Sequence, residues 1–502
     1  MKKYIGILVI VLLPLLAWSQ QDDDWNNFLQ RRNFNEWKQQ RNASFKAYKD
    51  SVNREFAKAM EKRWEEFQVF TGQRRPIKPE PEQLPVAIHD TVAKEPVSLP
   101  VDQIIPTPEA RPVPPTENEY DNYADSATQT TYRDVDVNFY MHTIKFEVPV
   151  SGETMVLGGI SERAVAKLWS DLSENGFEKC VIQLKEKSRE YHLNDWAIYD
   201  MITAVAAETF PKRYAEQTVF VVWLANQLGM DAKVGRTGNQ LLVLLSAKTT
   251  LYAVSYVRCN NETYYIFSCY PTESQEQSSI STYPVTFPTP TYPLDMNIDE
   301  PIHFLRQPSS VTYRSDFWGD VLPFQVNQNA IDFYSRYPQV DIGIYANAEM
   351  SEELKIWAER QMKPFLDELD EYEAVNVLLF YVQTEFDYAT DIQQFGYEKP
   401  FFCEENFYYA KNDCEDRAIL FAYLIRNLVG ARIVLLDYPD HIATAVAFED
   451  DSEIKGDYYL IDGRKYFVCD PTYIGANIGE TMPQYRTQRA NVILLKHQNN
   501  KQ

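Results

Sequence analysis

The sequence predicts an α+β fold. A helix beginning at Cys414 packs on an antiparallel sheet that carries His441 and Asp470, in two tandem copies behind an N-terminal helical arm. Three observations predict it. Asn412-Asp413-Cys414-Glu415-Asp416 leads into an almost wholly apolar helical run that ends at Gly430. His441 opens the alternating strand Ile442 to Phe448, and Asp470 closes the strand that starts at Tyr466, both with the period of two expected of strands. The same helix and strand patterns recur about 200 residues upstream.

The N-terminal elements read as follows. Lys2 and Lys3, the apolar run Tyr4 to Trp18 and the ending Ala17-Trp18-Ser19 predict a signal peptide over 1–20. The run is too short for a span and is followed by Asp22-Asp23-Asp24 rather than basic residues, so no membrane span is expected after cleavage. The expected location is periplasmic or secreted. Residues 21–75 form a helical arm in which Tyr48, Val52, Phe56, Met60 and Trp64 recur every fourth position. Such a stripe is a packing face, and residues 22–72 are a candidate surface for self-association or partner binding. A Pro-rich, acidic linker covers 76–135 and is expected to be extended, so that the arm moves independently. The first copy covers 136–275, a Ser/Thr/Pro-rich connector 276–341, and the second copy 342–495.

Composition excludes several functions. The 502 residues are 45% hydrophobic, enough for more than one proper core. A net charge of −23 repels phosphate backbones, so nucleic acid is not an expected partner. Six Cys in a chain this long do not make a disulfide framework, although pairing among Cys180, Cys259, Cys269, Cys403 and Cys469 stays open. No CxxC or HxxxH spacing occurs and there are six His, which argues against zinc. No cofactor is expected.

The repeat rests on a constant offset. Val219 to Gly229 matches Ile419 to Val429, and Tyr265 to Thr272 matches Lys465 to Thr472, both when numbers differ by 200. An upstream helix is also repeated, in Trp196 to Phe210 and Val375 to Phe386. At that offset Cys414 falls on Tyr214, Asp470 on Tyr270 and His441 near Leu241. None can replace its counterpart in chemistry, so the first copy is expected to be degenerate.

In the second copy, a thiol in the first turn of a helix meets unpaired N–H groups whose partial positive charge favours the thiolate. An imidazolium alongside favours it further. Glu415 and Asp416 work against ionisation, and are explained either as acidic capping residues or, with Asp413, as a candidate calcium site. Strand alternation puts Tyr466, Val468 and Asp470 on one face and Phe467 and Cys469 on the other, so Cys469 should not compete with Cys414.

A helix-starting Cys, a strand His and a strand Asp-Pro-Thr, in that order within about 60 residues, resemble the transglutaminase-like superfamily. That superfamily shares its core with papain-type cysteine peptidases and includes bacterial transglutaminase-like cysteine proteinases. The resemblance covers roughly Glu352 to Met482. It implies Cys414 as nucleophile, His441 as general base and acid, and Asp470 as the group that orients the imidazole. It also implies an oxyanion donor from the Cys414 backbone N–H and a second from a side chain, with Gln394, Tyr408 and Tyr409 as candidates. The insertion Asp391 to Phe402 would lie beside the cleft. The aromatic neighbour that this family commonly places beside its Cys is not present here.

The expected reaction is acyl transfer from an amide of a protein or peptide substrate through a Cys414 thioester. Water as acceptor makes an exported cysteine peptidase or amidase; an amine as acceptor makes a cross-linking transglutaminase. The competing class is a binding or scaffold protein with a vestigial triad.

Overall fold

The computed structural model describes residues 84–87, 97–107, 130–271 and 280–497, apart from 284–286, 288–289, 316 and 319–322. All belong to one structural unit, Gln73–Gln502. The signal peptide, the helical arm and most of the linker lie outside the described residues. Among the described residues no helix is long and apolar enough to cross a membrane.

The fold is mixed α+β with curled antiparallel sheets. After β1 (Val101–Ile105), a hairpin of β2 (Tyr132–Phe139) and β3 (His142–Pro149) leads into α1 (Glu162–Glu174), α2 (Glu178–Glu190), α3 (Asp195–Thr209) and α4 (Tyr214–Gln227). Then come β4 (Ala232–Thr237), β5 (Gln240–Ser246), β6 (Tyr256–Cys259) and β7 (Glu262–Phe267). The second half carries α5 (Glu371–Glu385), the short β8 (Asp387–Tyr388) and β9 (Lys411–Asn412), and α6 (Cys414–Leu424). It ends with β10 (Arg432–Tyr438), β11 (His441–Ala447), β12 (Tyr458–Ile461), β13 (Arg464–Cys469) and β14 (Ala490–Leu494).

The two halves share one arrangement. The first sheet has the order β4-β5-β7-β6; the second contains β10-β11-β13-β12, with β14 and β1 added beyond β10. In each, a long helix (α4 or α6) packs on the sheet and on the preceding helix (α3 or α5). Alternation does the sorting in the second sheet. Ile433, Leu435, Ile442, Val446, Phe467 and Cys469 face the helices, while Val434, Leu436, Tyr438, Ala443, Ala445, Tyr466 and Val468 fill the inside of the curl. Cys469 is thus on the face away from Val468, as alternation requires.

Three expectations change. The linker is not featureless: residues 97–105 belong to the C-terminal sheet. Leu99 N–H donates to the Tyr458 carbonyl at 2.8 Å on one edge, and β1 pairs in parallel with β14 at the other. One segment thus touches both edges of the curled sheet, with Leu99 buried inside. The folded region also resumes earlier than the linker boundary at 135, since β2 starts at Tyr132. The connector, too, is part of the core: Tyr292 and Leu294 bridge to Met230 and Ala247, and Met296, Val326 and Phe333 are buried.

The counterparts of the site residues shift as well. The hairpins close on Thr237 paired with Gln240 and on Tyr438 paired with His441, so Gln240, not Leu241, stands where His441 stands. Three residues further, Val243 pairs with Phe267 and Thr444 with Cys469, which puts Ser268 rather than Tyr270 at the place of Asp470. The turns agree: Ser268 Oγ accepts the Tyr270 N–H at 3.1 Å and Asp470 Oδ1 accepts the Thr472 N–H at 2.9 Å. Strand β10 is one residue longer than β4, and the loop after β11 one longer than that after β5, so a single offset fails.

Candidate active site

Helix α6 begins where its sequence tells it to. Asp413 is extended at the N-cap, and the Asp416 carboxylate reaches back to accept the Asp413 N–H at 3.2 Å. That satisfies one of the first-turn donors that a helix leaves unpaired. The other Asp416 oxygen accepts the Phe401 N–H at 2.8 Å, tying the 391–402 insertion to the helix start. The helix ends through a π turn, Ile425–Val429, and a left-handed Gly430.

The structure brings the three sequence-predicted residues together. His441 Nε2 lies 2.9 Å from Asp470 Oδ2, both side chains being 3% exposed. The Cys414 sulfur sits by the backbone N–H of Ile442, the residue after His441. The Tyr485 ring stacks on the His441 ring, with centroids 5.1 Å apart and planes 18° apart, and on Tyr438 at 4.5 Å. Arg486 then anchors this strap to Asp457 by two bonds of 2.7 and 2.8 Å. The dyad is therefore covered, and Cys414 itself is 2% exposed.

The thiol contradicts the expectation of a favoured thiolate. Burial, then the Glu415 carboxylate, then Asp413 push it well above the ordinary thiol range. That direction favours the thiol form, and Sγ lies 2.9 Å from Glu415 Oε2, placed to donate to it. Magnitudes explain the reversal. A helix terminus contributes about 0.3–1 kcal/mol, up to about 2 in partly buried geometry, whereas full burial alone moves a group by up to about 3–5 pKa units.

Sequence reading missed how large the acidic group is. The carboxylates of Asp391, Asp413 and Asp416 converge within 4.8 Å of one another, as do those of Asp391, Glu398 and Glu415. Asp391 is wholly buried, and its carboxyl is pushed up to about 9, by burial first and Glu415 second. Its Oδ2 accepts the Lys399 N–H, while its buried Oδ1 has no hydrogen-bond partner. An all-carboxylate oxygen set of this kind suits a hard divalent cation such as calcium. Asp391 belongs to the insertion singled out in the sequence, but nothing in its spacing from Cys414 marked it. Asp416 also serves the helix cap, through the Asp413 N–H, so the capping reading holds for it.

Other candidates fall away or stay secondary. The Gln394 amide donates to the carbonyls of Ala389 and Lys411 at 3.3 and 3.2 Å, which commits it to latching the loop to β9 rather than to an oxyanion. Tyr409 stacks on Phe401 at 4.9 Å and meets Tyr408 edge-on at 5.0 Å. With Gln393, Gln394, Phe395 and Lys411, Tyr409 lines an open groove beside β9. All six cysteines are free in this structure. No protein-family model, curated protein or solved structure matches this chain.

Proposed function

We propose that the second half is a transglutaminase-like cysteine hydrolase core and that the first half is a duplicated copy without the chemistry. The observation that carries the reading is the buried His441–Asp470 bond beside the N-terminus of the Cys414 helix. With Nε2 given to Asp470, His441 has Nδ1 to exchange a proton with the thiol. Cys414 Sγ attacks an amide carbonyl and its proton passes to His441. The developing oxyanion is met by the Cys414 N–H, a first-turn donor. His441 then protonates the leaving amine as the C–N bond breaks, and water, deprotonated by the same imidazole, releases the acid from the thioester.

The reaction needs the thiol to lose its proton, and Glu415 holds it. A calcium ion held by Asp391, Glu398 and Glu415, or by Asp391, Asp413 and Asp416, would supply positive charge that offsets those carboxylates. The substrate class is a protein or peptide, and the shared topology of the two sheets is what supports the duplication.

The test is alkylation of the full chain by iodoacetamide, with calcium and with chelator, in wild type and His441→Ala. We expect wild type with calcium to react at least about tenfold faster than the variant, in line with general-base assistance. Equal, slow rates under both conditions would leave a binding or scaffold role as the better reading.

A further inference from the structure

We infer that Gln383 is the positioning residue that holds the Asp470 carboxylate against His441, a role that rests on the hydrolase reading only for its consequence in rate. Gln383 lies in the last turn of α5 and is 3% exposed. Its Nε2 lies 3.1, 2.9 and 3.0 Å from the carbonyl oxygens of Asp470, Tyr473 and Ala476, and its Oε1 accepts the Gly475 N–H at 3.1 Å. One side chain therefore serves four backbone groups of the loop that follows β13. Buried backbone groups must be paired, and here a distant amide does the pairing in place of regular structure.

The loop in turn fixes the carboxylate. Asp470 Oδ1 is held by the Thr472 N–H at 2.9 Å, which aims Oδ2 at His441. The same glutamine is tied to the nucleophile side through its main chain. Arg417, fully buried on α6, donates to the carbonyls of Gln383 and Phe386 at 3.3 and 2.6 Å and to Asn412 Oδ1 at 2.9 Å. The Cys414 helix grips the backbone of Gln383, and its side chain grips the Asp470 loop. This makes one residue the joint between the two ends of the site.

The first half supplies a control. Gln217, at the helix position of Arg417, donates to the Phe210 carbonyl at 2.7 Å, as Arg417 does to Phe386. Counted back from these two phenylalanines, Gln383 corresponds to Ala207, which is exposed and has no amide to give. The helix tie is kept in both halves; the clamp stands where the His–Asp pair stands.

The experiment compares full-length wild type, Gln383→Met, the milder Gln383→Asn, and Val375→Ala, a buried position two turns away on the same helix. Two readouts are taken beside the melting temperature. One is the calcium-supported alkylation rate of Cys414. The other is the downfield imidazole proton of the His441–Asp470 bond, assigned by its loss in His441→Ala. Gln383→Met should lose the resonance and slow alkylation by about tenfold or more, the scale expected of a misplaced reacting group; Gln383→Asn should fall between. Val375→Ala should lower the melting temperature and leave both readouts at wild type. A folded Gln383→Met with both readouts intact overturns the inference, as does Val375→Ala losing them equally. If Gln383→Met does not fold, Gln383→Asn decides by the same readouts. If wild type itself shows no His441-dependent rate, the hydrolase reading falls, and the resonance alone decides whether Gln383 positions Asp470.

Discussion

The starts of α4 and α6 show the same scaffold under two charge designs. At the first, Arg213 and Glu216 form an ion pair at 3.1 Å and the helix opens on Tyr214, whose ring packs on Tyr270 at 5.4 Å. At the second, the corresponding positions carry Asp413 and Asp416, and the helix opens on Cys414 with Glu415 beside it. One start pairs opposite charges; the other gathers several carboxyl groups in a buried place. Like charges held together in a buried site work against stability, and they belong where chemistry or a ligand uses them. The difference teaches that the same sheet and helix order carries two charge designs, so topology alone does not mark which half would carry the proposed chemistry.

The largest effect should come from the thiol. Cys414→Ser should abolish amide cleavage or amine incorporation, a loss of at least about 10³-fold, whereas Tyr214→Ala should leave activity at wild type. New N-termini and incorporation of a fluorescent amine in a denatured protein mixture measure both, and activity retained in Cys414→Ser breaks the comparison outright.

Next is the buried cation. Arg417→Met removes the positive charge beneath the acidic group and should cost about 3–5 kcal/mol. Gln217→Met, which removes a neutral partner at the equivalent place, should cost about 1 kcal/mol. Urea unfolding of the two variants sharpens the contrast, and equal losses would show that charge plays no part in the difference.

Calcium should then raise the Cys414 alkylation rate by about tenfold or more, since one pKa unit is worth that factor in thiolate. In Asp391→Asn with Glu398→Gln the rise should be absent. A rise that survives in this variant would move the cation elsewhere.

A last contrast is in the pH dependence of stability. Asp391 titrates near 4 when unfolded and is pushed up to about 9 when folded. Between these values the folded chain holds a proton that the unfolded chain has released, so stability falls as pH rises. In the absence of calcium, Asp391→Asn should flatten this decline and raise the melting temperature at pH 8. A variant that melts lower than wild type there would contradict the assigned cause.

The placement of Cys414, His441 and Asp470 was legible because each sits at an element boundary, where a helix start, a hairpin end and a strand end leave clear marks in sequence. The α+β class and the repeated helix pairs were legible from periodicity for the same reason. Gln383 was not, since a glutamine in the last turn of an amphipathic helix looks like any other polar residue until the loop at 470–476 folds onto it. Asp391 was not, because three of its carboxylate neighbours, Asp413, Glu415 and Asp416, lie more than twenty residues downstream and the contact leaves no periodic trace. The register between the two halves was misread by one to two residues because β10 and the loop after β11 are each one residue longer than β4 and the loop after β5, which only pairing across the sheet exposes. The thiol was misjudged because helix-terminus charge is visible in sequence and burial is not.

Segment 97–105 has a consequence for how the chain comes to be folded. It is made before almost everything it touches, and its partner β14 follows it only after the whole of the two halves between them. The C-terminal sheet therefore cannot complete until β14 has been made, and pairing over so long a separation is slow. A fragment starting at 136 lacks this strand and leaves two sheet edges bare, open to pairing with another copy. The first stave made is the last one fitted.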